Sequence, residues 1–168
     1  DRPGQVEPLL EQVRQAASYA VETAGPGYLG YIPGGGLVTS ALAEMLARGF
    51  NRYTGFASFA PALVAMEESL LRWLANEFGL PATAAGQLTT GGSMATLTAL
   101  VAARHDRLGE TFLDGTLYVT EHTHRCVAKA ARVAGFPPGR VRTVPTDDNL
   151  RMDSAAAAAM ISADRRAG

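Results

Sequence analysis

Two glycines and a serine, Gly91-Gly92-Ser93, join a short apolar segment to a long run of helix-forming residues. Residues 86–90 predict a strand, and the apolar residues that follow recur at helical spacing, with Ser93 as a candidate cap. Glycines let a ligand approach the backbone closely, and a helix start offers unpaired N–H groups. The junction therefore predicts a cradle for an anion such as phosphate, although a plain tight turn with a serine cap explains it equally well. It matches no Walker loop, dinucleotide fingerprint or nucleophile elbow.

From residue 86 onward the sequence alternates between strand and helix three times, which is typical of an α/β layer with parallel strands. A fourth strand would come next, so we expect the chain to stop inside a domain. The predicted strands are 86–90, 117–120 and 141–144, and the predicted helices are 6–23, 40–48 capped by Ser40, 61–78, 93–108, 124–134 and one that begins at Asp153 or Ser154. The third helix carries a stripe that is predicted to be buried: Leu63, Met66, Leu70, Leu71, Leu74 and Phe78.

Composition bounds the class of protein. With 168 residues, 47% of them hydrophobic, and a net charge of −1, the chain suits one folded domain or a large part of one. The 15 basic and 16 acidic residues leave no positive surplus, which disfavours a dedicated nucleic-acid-binding protein. Because Cys126 is the only cysteine, we exclude an intrachain disulfide and expect a reducing, cytoplasmic location. No apolar stretch approaches the roughly 18 residues of a membrane span, so we expect no membrane partner.

A second polar feature, Glu121-His122-Thr123-His124, follows the second predicted strand. Ligands of open α/β sheets bind beyond the carboxyl ends of the strands, so these side chains are candidates for a site. In extended backbone His122 and His124 would share a face and could chelate zinc, with Glu121 or Cys126 nearby. An organic ligand is favoured over a metal here. One exposed histidine and one helix-capping histidine, with Cys126 as a small buried side chain, would also explain the pattern.

A loop rich in glycine and proline, residues 25–36, carries large apolar side chains that a flexible linker would not need. Tyr31, Ile32 and Pro33 could form an apolar wall for a ligand. They could equally anchor the loop to the core, which the spacing alone favours.

Taken in order, these segments resemble the N-terminal part of the group II pyridoxal-phosphate-dependent decarboxylases, which include the aromatic-amino-acid, histidine, tyrosine and glutamate decarboxylases. The resemblance covers nearly the whole chain after the first helix and depends on several ordered motifs. The matching segments are Gly25–Pro33, Asn51–Gly55, Ala60–Leu63, Glu67, Trp73-Leu74, Leu88–Thr96, Tyr118–His124, Val127, Lys129–Ala131, Val144–Asp147 and Leu150–Asp153.

The resemblance implies a role for individual residues. Gly92 and Ser93 would hold the phosphate of pyridoxal 5'-phosphate. His124 would be catalytic, stacking on the pyridine ring and helping to orient the substrate carboxylate. Tyr31 and Pro33 would line a substrate pocket at the interface of a homodimer. No metal site is implied.

The resemblance also implies a fold and a domain organisation. Residues 61–168 would be the first part of a fold-type-I α/β large domain, and residues 1–60 a helical and loop segment at the dimer interface. In the family the Schiff-base lysine and the carboxylate on the pyridine nitrogen follow later in the chain than any matched segment. The only lysine here, Lys129, matches a non-catalytic position. We therefore expect the chain alone to be inactive, with the remaining segment supplied by the same enzyme or by a second chain.

The expected activity is pyridoxal-phosphate-dependent decarboxylation of a small L-amino acid. Three alternatives stay open: another carbon–carbon lyase or aldehyde-forming relative, a non-catalytic domain that binds a phosphorylated ligand or a partner protein, and a zinc protein that uses His122 and His124.

Overall fold

The structure, a computed structural model, describes Gly4, residues 6–30 and residues 36–168. It consists of two compact units, Asp1–Ala65 and Met66–Gly168. Within the described residues, no helix is both long and apolar enough to cross a membrane. The functional division predicted between residues 60 and 61 stays a prediction.

The first unit contains α1 (Val6–Ser18), α2 (Val38–Phe50) and the start of α3 (Pro61–Glu77). Two expected boundaries differ. α1 ends before residue 23, because the N–H groups of Tyr19 and Ala20 turn back to carbonyls only three residues earlier. α2 begins at Val38 with Leu37 as its N-cap and without a side-chain cap, so the predicted capping role of Ser40 is wrong. The Ser40 N–H instead donates to the Leu37 carbonyl, within the first turn.

The second unit contains an α/β arrangement built from α4 (Gly92–Leu108), β1 (Leu117–Thr120), α5 (Cys126–Val133), β2 (Val141–Val144) and α6 (Ser154–Ala167). β1 and β2 pair in parallel, with Leu117 opposite Val141 and Thr120 opposite Val144. Both strands, their parallel pairing and the helix between them are therefore predicted correctly. A parallel pair brings the carboxyl ends of both strands to one edge, which is where the candidate site begins.

The strand predicted at residues 86–90 is wrong, because these residues are irregular. The N–H group of Leu88 donates to the carboxylate of Glu67 on α3, 3.4 Å away, instead of to a neighbouring strand. A short apolar segment forms a strand only where a partner strand satisfies its backbone, and the described part of the chain pairs only β1 with β2 in a sheet.

The core of the second unit lies where α5 and its following loop pack on α4 and the sheet. Ala131, Ala134 and Phe136 are buried there. Partly buried apolar side chains cover them: Leu97, Leu100, Val101, Leu117 and Val141. α5 ends at Val133 with Ala134 as its C-cap, and the next residue, Gly135, adopts a φ of 92°. The following N–H, that of Phe136, returns to the carbonyl of Ala131 at 3.0 Å.

The buried stripe predicted for α3 is wrong in the described structure. Met66 and Phe78 are 68% and 78% exposed, and Leu63 and Leu70 are also exposed. Only Leu71 and Leu74 are half-buried. Helical spacing indicates which face of a helix is apolar, but burial requires a partner surface. Within the second unit, this face borders an open cleft of about 520 Å³ against residues 80–86.

α6 is fixed to the sheet by a polar cluster. Its N-cap is Asp153, one of the two residues predicted, whose carboxylate accepts from the N–H groups of the first turn. Near its C-terminus, Asp164 accepts from the Tyr118 hydroxyl of β1 at 2.7 Å and from the Arg142 guanidinium of β2 at 2.6 Å. The Tyr118 hydrogen bond, with Arg142 nearby, lowers the pKa of Asp164 below its ordinary value of 3.8. Burial, together with the bond to Asp164, raises the pKa of Tyr118 above 10.0.

These shifts predict how stability depends on pH. Because the pKa of Asp164 is lower in the folded state, its contribution is complete above about pH 5 and is lost as the pH falls through that lowered value. The pKa of Tyr118 is higher in the folded state than the unfolded value of 10.0. Its contribution to stability is therefore complete below pH 10.0 and is lost as the pH rises through the raised value. Asp164→Asn should lower the unfolding midpoint at pH 7 and remove part of the decline at acid pH.

Thermal unfolding from pH 2 to pH 9 checks this expectation. Asp148→Asn is the matched control, because the Asp148 carboxylate is exposed and has no partner in the described structure. Equal midpoints for both variants across this range would contradict the assigned role of Asp164.

Candidate functional site

The turn into α4 has a backbone conformation that requires glycine. Gly91, the N-cap, has φ 130° and ψ 169°, a combination that residues with a side chain avoid. Its carbonyl accepts the N–H groups of Met94 and Ala95, both at 3.1 Å, and the hydroxyl of Thr89 at 3.2 Å. Hydrogen bonds from residues before and after Gly91 thus fix the turn, and they fix the first turn of α4 with it.

The helix start leaves donors free. No side chain caps α4, and in the described structure the N–H groups of Gly92 and Ser93 have no partner. A Cβ added at Gly91 or Gly92 would meet no other atom within 4 Å, so the space beside the turn is open. Ser93 is exposed and lies at the second helical position, which makes its predicted role as the N-cap wrong. Two backbone donors and a hydroxyl therefore border open space at the positive end of a helix.

α6 provides an internal comparison for this helix start. There the Asp153 carboxylate accepts from the N–H groups of Ala155 at 2.9 Å and Ala156 at 3.0 Å. The chain thus supplies its own anion to the first turn of α6. At α4 no side chain of the described residues supplies one, so these donors are available to an external anion.

The turn after β1 positions His124. The N–H of Thr120 donates to Thr123 Oγ1 at 2.9 Å, and the N–H of Thr123 donates to the Thr120 carbonyl at 3.0 Å. His124 follows this turn, and its Nδ1 accepts the N–H of Cys126 at 3.2 Å. The imidazole thus caps the first turn of α5, as one of the alternatives proposed, while the residue remains exposed. Sequence reasoning missed Thr123, although a threonine three residues after Thr120 is a typical turn signal.

His124 borders a cleft of about 390 Å³ that includes the carboxyl end of β1 and extends to Val141, the first residue of β2. The cleft is lined by Val119, Thr120, Glu121, Thr123, His124, Ala128, Arg132, Pro138, Val141 and Thr143. Ser93 is not part of this lining. The link between the two features is the contact of α4 with α5, where Thr96 Oγ1 lies 3.7 Å from Cys126 Sγ. The contact thus joins the second turn of α4 to the start of α5, and the shared pocket predicted for Ser93 and His124 stays a prediction.

The remaining candidate residues lie apart from this arrangement. His122 is not in extended backbone, because β1 ends at Thr120, and its Nε2 lies 3.7 Å from Glu121 Oε1. No three His, Cys, Asp or Glu side chains come together in the part of the chain that the structure describes. Lys129 is exposed on α5. Tyr31 and Pro33 lie outside the described residues.

Comparison with known proteins gives one family. The profile described as the pyridoxal-dependent decarboxylase conserved domain matches residues 1–168. An aromatic-L-amino-acid decarboxylase of Bacillus atrophaeus is 32% identical over 85% of this chain and 30% of its own length. Tyrosine decarboxylase 2 of Narcissus pseudonarcissus is 32% identical over 100% of this chain and 36% of its own length. The chain thus spans about a third of the length of these relatives.

Solved structures agree on the fold. The Oryza sativa TDC structure with PLP and tryptamine has a TM-score of 0.84 at 26% identity, over 99% of this chain and 39% of that one. The tryptophan decarboxylase of Catharanthus roseus in complex with L-tryptophan has a TM-score of 0.87 at 22% identity, over 99% of this chain and 39% of that one. The fold is therefore that of an incomplete fold-type-I large domain, as the family resemblance implies.

The turn into α4 predicts a contrast between two adjacent glycines. Gly91→Ala should destabilise the protein by about 1–3 kcal/mol, because φ 130° strains any side-chain-bearing residue. Gly92→Ala is the control, because Gly92 lies in the same open space without a positive φ. Urea unfolding of both variants checks the expectation, and equal midpoints would contradict the turn geometry.

Proposed function

The chain belongs to the pyridoxal-dependent decarboxylase family, and we propose that it forms the phosphate-binding and ring-stacking part of an enzyme that decarboxylates an L-amino acid. The observation that carries this proposal is the uncapped start of α4, where Ser93 and two free N–H groups border open space. The cofactor of the family carries a phosphate group, which is the ligand that such a helix start binds best.

The described residues fit this cofactor. The N–H groups of Gly92 and Ser93 and the Ser93 hydroxyl would bind the phosphate oxygens. His124 lies two residues before Cys126, the α5 residue that contacts α4, and presents an exposed imidazole for a flat aromatic ring. Pyridoxal phosphate, when bound, supplies a pyridine ring that takes up the electron pair left by the departing carboxylate.

His124 also has a defined proton. Because Nδ1 accepts the Cys126 N–H, the neutral imidazole carries its hydrogen on Nε2. Nε2–H can donate to the substrate carboxylate and orient the bond that breaks. The capping bond thus serves two purposes, since it satisfies a backbone N–H at the start of α5 and fixes the tautomer that the reaction needs.

The chemistry also needs a lysine, and we infer that it is not Lys129. This lysine is exposed on α5 and is absent from the lining of the His124 cleft. The 168-residue chain alone should therefore bind phosphate ligands without turnover. A cytoplasmic homodimer, with Tyr31 and Pro33 at the substrate pocket, is part of the same proposal.

Aromatic amino acids are the first substrates to test, because several relatives are named as tyrosine or tryptophan decarboxylases. An aldehyde-forming reaction is the second candidate. It is supported by a phenylacetaldehyde synthase of Arabidopsis thaliana that is 30% identical over 100% of this chain and 37% of its own length.

Ser93→Ala should weaken the binding of pyridoxal phosphate by about tenfold or more, because it removes a hydrogen bond to a charged group. Titration of the full-length gene product by calorimetry measures this. Ser154→Ala is the matched control, since Ser154 also lies in the first turn of a helix, but one whose N–H groups Asp153 already satisfies. An unchanged affinity in Ser93→Ala would contradict the phosphate cradle.

Product analysis tests the reaction itself. The full-length gene product with pyridoxal phosphate should release carbon dioxide and amine in equal amounts from an aromatic L-amino acid. Aldehyde and ammonia, formed with consumption of oxygen, would favour the second candidate instead.

His124→Ala should lower kcat by about a hundredfold or more, as loss of a positioned proton donor does. Release of carbon dioxide at an undiminished rate would contradict the role of His124.

A further inference from the structure

Thr96 contacts Gly92 of the phosphate cradle and Cys126, the residue that hydrogen-bonds His124, although no motif assigns it a role. We propose that Thr96 is a positioning residue that holds the phosphate cradle and His124 at a fixed separation. This inference rests on the proposed function, because it concerns how the two parts of that site are kept in register.

The first contact joins Thr96 to the cradle. Its hydroxyl donates to the carbonyl of Gly92 at 2.9 Å, one turn earlier on α4. Gly92 is one of the two residues whose N–H groups are free for a phosphate. The side chain of Thr96 is half-buried, so water competes weakly for this hydrogen bond.

The second contact crosses to α5. Thr96 Oγ1 lies 3.7 Å from Cys126 Sγ, which is within hydrogen-bond range because bonds to sulfur are longer than bonds between nitrogen and oxygen. The hydroxyl has a single hydrogen, which Gly92 receives, so its oxygen must accept here and the thiol must donate. Cys126 thus donates two separate hydrogens, one from its thiol and one from its backbone N–H.

The third contact reaches the imidazole. The backbone N–H of Cys126 donates to His124 Nδ1 at 3.2 Å. A continuous chain of hydrogen bonds therefore runs from the Gly92 carbonyl through Thr96 and Cys126 to His124, and each hydrogen is used once. A displacement of α5 along α4 would break the middle bond, so the chain resists changes in the separation of cradle and ring.

Three variants of the full-length gene product isolate this link. Thr96→Val keeps a similar volume and removes both bonds of the hydroxyl, whereas Thr96→Ser keeps both. Thr98→Val is the matched control on the same helix, because Thr98 has no hydrogen-bond partner in the described structure. The measurements are the affinity for pyridoxal phosphate and the ¹⁵N NMR signals of the His124 imidazole.

Thr96→Val should weaken binding by roughly fivefold, the effect of one lost hydrogen bond of ordinary strength. Its His124 signals should change from one tautomer toward a mixture of two, since Nδ1 is no longer held against the Cys126 N–H. Thr96→Ser should restore both readouts, and Thr98→Val should change neither. A purely structural role for Thr96 would lower the unfolding midpoint without moving the imidazole signals.

Cys126→Ala supplies a second route to the same link should Thr96→Val fail to fold. It removes the thiol and should change the His124 signals in the same way. Ser93→Ala separates the two proposals. If Ser93→Ala weakens binding while Thr96→Val and Cys126→Ala leave affinity and tautomer unchanged, the link is overturned and the proposed function stands. If Ser93→Ala also has no effect, both are overturned.

Discussion

The packing of α4 against α5 determines where the phosphate cradle and His124 lie. The buried side of α5 is built from alanines, of which Ala131 is fully buried, and small side chains let the two helices approach closely. Larger apolar residues of α4, Leu97, Leu100 and Val101, fill the space around them. As a result, Thr96, one turn into α4, contacts Cys126 at the start of α5.

The second constraint is electrostatic. A folded chain satisfies the exposed N–H groups of a helix start with a side chain, with water or with a ligand. At α6 it uses Asp153, and at α5 it uses the imidazole of His124. At α4 it uses none of its own described side chains, and the backbone conformation of Gly91 keeps that start open. Because α2 also begins without a side-chain cap, the phosphate cradle depends in addition on the open space beside Gly91 and Gly92 and on the Ser93 hydroxyl.

Local signals predicted much of this arrangement. Apolar β-branched runs gave β1 and β2, the alternation of elements gave their parallel pairing, and an aspartate before an alanine-rich segment gave the cap of α6. What failed depended on partners distant in sequence. Among the described residues, no strand neighbours residues 86–90, and no surface covers most of the apolar stripe of α3. The sequence also did not predict the hydrogen bond between Thr96 and Cys126, because thirty residues separate them.

A crystal structure of the full-length gene product with pyridoxal phosphate tests the central claim most directly. The account predicts phosphate oxygens within about 3.2 Å of the Ser93 N–H and hydroxyl, with the pyridine ring against the His124 imidazole. A phosphate bound away from the start of α4, or a ring that does not touch His124, would contradict it.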